Sequence, residues 1–460
     1  MPFRTPFGAS TLRAAPINKF QVPSTPAPHS PLASTPVNGC HFPIGRVFAV
    51  GDRGKVLRLD VAIYLVCAAF AIPTAIWSEF YGYRVWGNFA SVAYVLGAAH
   101  AIWLMTSTGT SWLRSRWVPV GLVAGLGMVG SDWVIKPFQW AAQPEVWVIE
   151  RSAQLLFDTG TPYVDIAALP RPPEVNDYTP YGPAMTIFGI PRALLSGAIT
   201  DARIMFALTT IVTIALALKL LGWPKVPVRA AHLAIVSPLT ALTFAVAGPD
   251  LAIIGLIILS GALAARGKTV WCGVVLAVVV SMKLSALPAV VVIIFYVVTT
   301  RAGRTSSIRS GLLRFGTAII GVTALLNIPV LIVHPGAFVE HVIKFPSGTG
   351  MITSPAASPL PGHLIASMGQ VGHVVALVLL GLTALALTIW LFVHPPATGS
   401  AAMLKAAIGL GAAILMVPAS RYGYLVYPLV LWGAAMTFSV AERAASRPAQ
   451  PRDLNTIPAR

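Results

Sequence analysis

Glu145-Val-Trp-Val-Ile-Glu150-Arg-Ser-Ala-Gln-Leu-Leu-Phe-Asp158-Thr-Gly160-Thr-Pro162-Tyr163, and then Asn176-Asp177-Tyr178-Thr-Pro180-Tyr181-Gly182-Pro183, form the second half of a polar stretch that begins at Asp132. On both sides the chain reads as apolar segments long enough to cross a bilayer, which takes ~20 residues in a helix. A connection of roughly fifty residues is long for the space between packed elements, and long connections tend to carry function. The stretch therefore separates membrane helices from one large extramembrane loop, and chemistry is expected in that loop.

Composition agrees. Hydrophobic residues make up 56% of the 460 residues, charged residues 10%, and mean hydropathy is +0.76. A water-soluble domain carries about a quarter charged residues, so this chain has too few to cover itself against water. The expected fold class is all-α, a polytopic transmembrane helical bundle. The net charge of +17 does not point to nucleic acid. Its basic residues fall in the N-terminal tail (Arg46, Arg53, Lys55, Arg58), in short connections (Arg114, Arg116, Arg266, Lys268, Arg301, Arg304, Arg309) and near the C-terminus (Arg443, Arg447). That is the pattern of cationic loops retained in the cytoplasm. The long loop has the opposite bias, with Asp132, Glu145, Glu150, Asp158, Asp165, Glu174 and Asp177 against Lys136, Arg151 and Arg171. Cys40, Cys67 and Cys272 give neither a disulfide framework nor a metal-ligand spacing.

Residues 1–58 are rich in Pro, Ser, Thr and Ala and lack the apolar core of a signal peptide; they are expected to be a disordered cytoplasmic tail, and 442–460 a second one. Apolar spans are expected near 60–78, 86–107, 117–135, 202–223, 230–248, 250–265, 269–283, 286–300, 314–333, 371–393, 402–418 and 421–440. Residues 184–199 are apolar but broken by Pro191 and Arg192, and are expected to be re-entrant or a broken helix. With the N-terminus inside and 184–199 not crossing, the basic connections fall on one side and the acid-bearing loop on the other. About twelve crossings in the plasma membrane with both termini cytoplasmic satisfy the charge rule.

Several costly residues then share the outer face. The segment 145–157 has Val146, Ile149, Ala153 and Leu156 at helical spacing, so it is expected to lie flat at the interface with its apolar side down. Glu145 at its start either holds a carboxylate near the surface or caps the helix. Asp132 reads as a solvated helix end or a catalytic acid, and Asp250 in Gly248-Pro249-Asp250 as a cap or a functional acid. Lys283, in Ser281-Met-Lys283-Leu-Ser285, interrupts a long apolar run, and a lysine there usually marks a functional position; phosphate binding is the expectation. The planar fork of Arg421, in Ser420-Arg421-Tyr422-Gly423-Tyr424, also suits phosphate. The tyrosines beside it suit a sugar or the lipid interface. The second outer loop, 334–370, offers His341 and Lys344 as phosphate contacts or proton carriers. No Walker loop, H-E-x-x-H or G-x-S-x-G is present, which leaves nucleotide hydrolysis without support.

An acidic residue, then Arg-x-Ala-x-x-Leu-Leu, a Gly and a Tyr, then Tyr-x-Pro-Tyr-Gly-Pro, resembles the first long outer loop of polyprenyl-phosphate-sugar-dependent glycosyltransferases. More narrowly, the chain resembles glycosyltransferase family 87 of the GT-C superfamily, which includes mannosyltransferases. Gly248-Pro249-Asp250, the Lys283 element, the Pro-rich Ser354–Gly362 segment and Ser420-Arg421-Tyr-Gly-Tyr add to the likeness over roughly 60–440. The resemblance implies transfer of one sugar, mannose by family weight, from a polyprenyl-phosphate donor to an extracytoplasmic glycolipid or glycan acceptor. The implied general base matches Glu145, where the family has Asp, with Asp132 in reserve. Lys283, Arg421, His341, Lys344, Tyr178, Tyr181, Asp250 and Tyr424 are the implied substrate contacts. Membrane lipids are the surroundings, nucleic acid is not a partner, and no cofactor is implied beyond the lipid-linked donor; a divalent metal remains open. A secondary transporter or lipid flippase, and a catalytically inactive relative, are the competing classes.

Overall fold

The computed structural model describes residues 53–447 apart from 109, 196 and 302–306. The expected tails lie mostly outside the described residues, as do Cys40, Arg46 and Arg304, but the opening of the second, 442–445, continues the last helix instead of being disordered. The first helix already starts at Arg53, so Arg53, Lys55 and Arg58 sit on its opening turns.

Among the described residues the protein is helical. Eight helices are long and apolar enough to cross a membrane, nine if a bent pair counts as one span. In chain order the main elements are α1 (Arg53–Trp77), α2 (Tyr81–Thr106), α3 (Trp117–Ile135), α4 (Pro144–Thr159), α5 (Ala202–Leu220), α6 (Val228–Val236 and Pro238–Val246, bent by 43°), α7 (Pro249–Ala265), α8 (Thr269–Met282), α9 (Leu287–Arg301), α10 (Ser307–Val333), α11 (Gln370–Val393), α12 (Gly399–Met416) and α13 (Val426–Ala445). Each stretch expected to be a span is helical, but α7, α8 and α9 are shorter than a typical crossing. Their brevity has local causes. Gly248, in the left-handed region at φ 91°, and Pro249 set the start of α7. At Lys283 the backbone turns extended and ends α8. Residues 184–199 form no long helix; short turns over Pro183–Phe188 and Ile190–Leu194 replace it.

Burial separates a protein core from a lipid-facing coat. Helix α7 is apolar all round and buried almost end to end, as expected of a helix surrounded by others. Helices α10 and α11 instead turn large apolar side chains outward, including Ile320, Leu325, Ile332, Val371 and Phe392. Contiguous apolar exposure on that scale is stable against hydrocarbon and costly against water. The chain is a multi-pass membrane protein.

At one end of the bundle, Asp60 on α1 is nearly inaccessible and accepts from Arg116 Nε and Nη2 at 2.5 and 2.9 Å. Arg229 Nη1 reaches the same carboxylate at 2.8 Å. This knot ties the starts of α3 and α6 to α1. The opposite end carries the long connection 136–201 and the connection 334–369, and there the polar residues gather.

Candidate active site

Helix α4 starts with Pro144 in its first turn after Gln143, and Glu145 follows. Proline is well suited to that position because its missing N–H would have no helical partner. Gln143 does not cap with its side chain, which bonds the Tyr83 hydroxyl instead. Glu145 does not act as the cap residue either. Its Oε1 accepts from Arg421 Nη1, and its Oε2 is buried with no hydrogen-bond partner. The apolar side of α4 corrects an expectation: Val146, Ile149 and Ala153 are covered by protein rather than lying on a membrane surface. The turn at Gly189 closes on them so tightly that a Cβ there would fall 2.5 Å from the Ile149 carbonyl oxygen.

Asp250 is likewise not a cap. The residue before α7 is Gly248, with no side chain to cap with. Asp250 Oδ1 accepts from Lys283 Nζ at 2.5 Å and from the Tyr427 hydroxyl at 2.8 Å. The Lys283 ammonium also faces the rings of Tyr424, Tyr181 and Tyr427 at 4.5, 5.6 and 5.8 Å, distances at which ring quadrupoles attract a cation. One carboxylate and three aromatic faces thus make a buried lysine tolerable.

Gly182 sets the position of Tyr181. Its N–H donates to the Met282 carbonyl at 2.8 Å, and a Cβ on it would lie 2.2 Å from the Ser281 carbonyl oxygen. Only glycine lets the loop lie against the end of α8 immediately before Lys283. The Tyr163 hydroxyl holds the Tyr181 carbonyl at 2.9 Å. Burial pushes the Tyr181 phenol well above its ordinary value, so it stays a neutral donor.

Arg421 is held by a short backbone ladder. Ser358 N–H donates to the Ser420 carbonyl and Ser420 N–H to the Ala356 carbonyl, both at 2.9 Å, and Tyr422 N–H reaches Ser358 Oγ at 3.0 Å. The Pro-rich stretch 354–362 is therefore the strap that fixes the start of α13.

These groups line a cavity of about 360 Å³. Glu145, Lys283, Arg421, Tyr178, Tyr181, Tyr424 and Tyr427 form its polar end. Leu284 and Leu287 beside α9, Leu380 on α11, and Leu410 and Ile414 on α12 make an apolar flank. Asp250 stands behind Lys283 and does not itself line the space. The two cations expected to await phosphate are each already matched by an acid.

Three expected site residues lie elsewhere. Asp132, on α3, pairs with Lys136 one turn on and does not line the cavity. His341 is fully buried and structural: Nδ1 accepts from Thr179 N–H at 2.9 Å and Nε2 lies 2.8 Å from the Val164 carbonyl. Burial drives its pKa down to about 4, so the ring is neutral and donates through Nε2. It clasps the two long connections together. Lys344 is exposed and pairs with the largely buried Glu340 at 3.4 Å. Glu340 also takes the Tyr178 hydroxyl at 3.1 Å and the Met351 N–H at 2.8 Å. Sequence reading missed Gln143 and Tyr83, which left no visible signal; Tyr427, one helical turn past Tyr424, was among the tyrosines offered to a sugar or the interface, but its bond to Asp250 was not foreseen.

Behind α4 runs a second polar chain that bears on the site's geometry. Glu150 Oε1 accepts from the Ala202 N–H at the start of α5, and its Oε2 accepts from Gln139, both at 3.0 Å. Burial raises the Glu150 pKa, with the Ala202 N–H opposing it. Among the described residues no group of three His, Cys, Asp or Glu side chains is arranged to hold a metal. No family model matches the chain. No curated protein matches it either.

Proposed function

We propose that this protein is an inverting glycosyltransferase of the GT-C type, moving one sugar, mannose by resemblance, from a polyprenyl-phosphate donor to a glycolipid or glycan acceptor. The observation that carries the reading is a single cavity in which a carboxylate and two cations meet an apolar flank built by α9, α11 and α12. A polyprenyl chain fits the flank by its chemistry, and its phosphate reaches Lys283 and Arg421. Glu145 is the acid beside them.

In this reading the acceptor hydroxyl oxygen attacks the anomeric carbon while Glu145 takes the hydroxyl proton. The bond from the anomeric carbon to the phosphate oxygen breaks, and its electron pair leaves with the polyprenyl phosphate. Negative charge grows on that phosphate in the transition state, where nearby fixed cations stabilise it most. Lys283 and Arg421 supply them, and Tyr181 and Tyr424 offer neutral hydroxyls and flat faces to the sugar. Asp132, away from the cavity, is not the base in this scheme.

The sidedness follows from charge. By helix direction, Arg114, Arg116, Arg229, Arg266 and Lys268 lie at the end opposite the cavity, which supports a cytoplasmic position for that end and an outer one for the cavity. The proposed topology has about twelve segments crossing or nearly crossing, both termini cytoplasmic, in the plasma membrane; the eight or nine long apolar helices support part of it.

The test is transfer of label from a polyprenyl-phosphate sugar by purified protein in detergent or nanodiscs. Glu145→Gln is expected to lose at least a hundredfold in kcat, the usual scale for a general base, and Asp132→Asn to keep most activity. Full activity in Glu145→Gln removes the proposed base. Counterflow of substrate without any covalent product turns the reading toward transport.

A further inference from the structure

We infer that the Glu145–Arg421 ion pair masks the base, and that a phosphate arriving at Arg421 unmasks it, so that the donor must bind before an acceptor can be activated. The inference rests on the lipid-phosphate reading above and concerns the order of events at the same site.

Neither oxygen of the carboxylate is both free and open as the site stands. Oε1 is covered by the guanidinium, and Oε2 is buried without a partner. An acceptor hydroxyl has to come within hydrogen-bond distance of the group that takes its proton, and here the guanidinium already holds one oxygen while the other is buried. The Arg421 side chain, by contrast, keeps about a third of its surface open, 37% against 21% for Glu145. The cation is the exposed half of the pair, so an incoming anion meets it first.

Competition for Arg421 then does the switching. A phosphate offers the guanidinium two oxygens in the geometry it prefers, and the carboxylate and phosphate repel each other when they share it. Lys283 does not take over the displaced carboxylate, because Asp250 and Tyr427 already engage its neighbourhood and three rings surround it. The backbone strap through Ser420 keeps Arg421 in place while Glu145 moves. Glu145 is the mobile partner: it sits in the first turn of α4 and its second oxygen has no hydrogen bond to give up. The device would protect the donor, since no activated hydroxyl or water is available until the correct phosphate is seated.

The prediction runs against the usual effect of a site mutation, because removing the base should improve binding of the phosphate. Binding of a short-chain polyprenyl phosphate, of the matching uncharged polyprenol and of inorganic phosphate is measured on the full chain in detergent. Glu145→Gln is expected to bind the polyprenyl phosphate about tenfold more tightly than wild type, the scale of a half-buried ion pair released from competition. Glu145→Ala, which also removes the residual amide contact, should shift at least as far. The polyprenol should bind all three proteins alike, and inorganic phosphate should follow the lipid phosphate in direction if the headgroup alone unmasks the base. Equal or weaker binding of polyprenyl phosphate by both variants overturns the masking while leaving the donor site intact. Failure of wild type and variants alike to bind it overturns the lipid-phosphate reading as well.

Discussion

Removing the charge of Asp250 should destabilise the protein more than removing Asp250 and Lys283 together. In Asp250→Asn the Lys283 ammonium keeps its position beside three tyrosine rings but loses the carboxylate at 2.5 Å. Breaking a buried ion pair by deleting one partner costs about 3–5 kcal/mol. The rings return some of this, on the order of 1 kcal/mol for cation–π contacts of this length, leaving a net loss of roughly 2–4 kcal/mol. In the double variant Asp250→Asn/Lys283→Met no buried charge is left, so the remaining cost is about 1 kcal/mol for the altered contact with Tyr427. Lys283→Met alone leaves a buried carboxylate with one tyrosine donor and should fall between the two. Thermal unfolding of the four proteins in one detergent reads the cycle, and a coupling of at least about 2 kcal/mol is expected. Additive losses would show that Asp250 and Lys283 do not depend on each other, and the account of how the membrane end tolerates a lysine would then be wrong.

Two further outcomes follow from named contacts. Gly182→Ala drives a methyl into the Ser281 carbonyl and removes the bond to Met282, which should cost about 2–4 kcal/mol by overpacking and a lost hydrogen bond; wild-type melting of that variant would refute the close crossing. The His341 clasp makes stability depend on pH. The folded ring titrates near 4 and the unfolded one near 6.5, so between those values the unfolded chain binds a proton the folded chain refuses. Stability is therefore full above about pH 6.5 and falls by up to roughly 3 kcal/mol as pH drops toward 4. His341→Asn should flatten that part of the pH–stability curve, and an unchanged slope would mean that other groups set it.

The helical membrane character was legible because it rests on long apolar runs, which need no knowledge of tertiary contacts. Lys283 and Arg421 stood out for the same reason, as charges where charges are expensive. Their partners did not. Asp250 precedes Lys283 by 33 positions and Glu145 precedes Arg421 by 276, and nothing local joins such residues. Asp250 and Glu145 therefore looked like possible caps, since an acid at a helix start is favourable on its own. His341 misled in the other direction. Its neighbours are polar and loop-like, but both ring nitrogens serve backbone groups of the other long connection, a demand made by main chain and invisible in side-chain identity. The amphipathic period of α4 was correct while the medium covering it was not, because periodicity reports an apolar face and not whether lipid or protein meets it.

The pairing of Ala356–Ser358 with Ser420–Tyr422 also decides how a bulky guest gains admission. It sews the rim to the residues around Arg421, so widening the mouth from above would unpick the backbone bonds that place the guanidinium. The seam flanked by Leu284, Leu287 and Leu380 is different, since greasy side chains part without breaking any hydrogen bond. If the lipid-linked donor of the proposed reaction binds here, its hydrocarbon would part that apolar seam at less cost than the hydrogen-bonded rim.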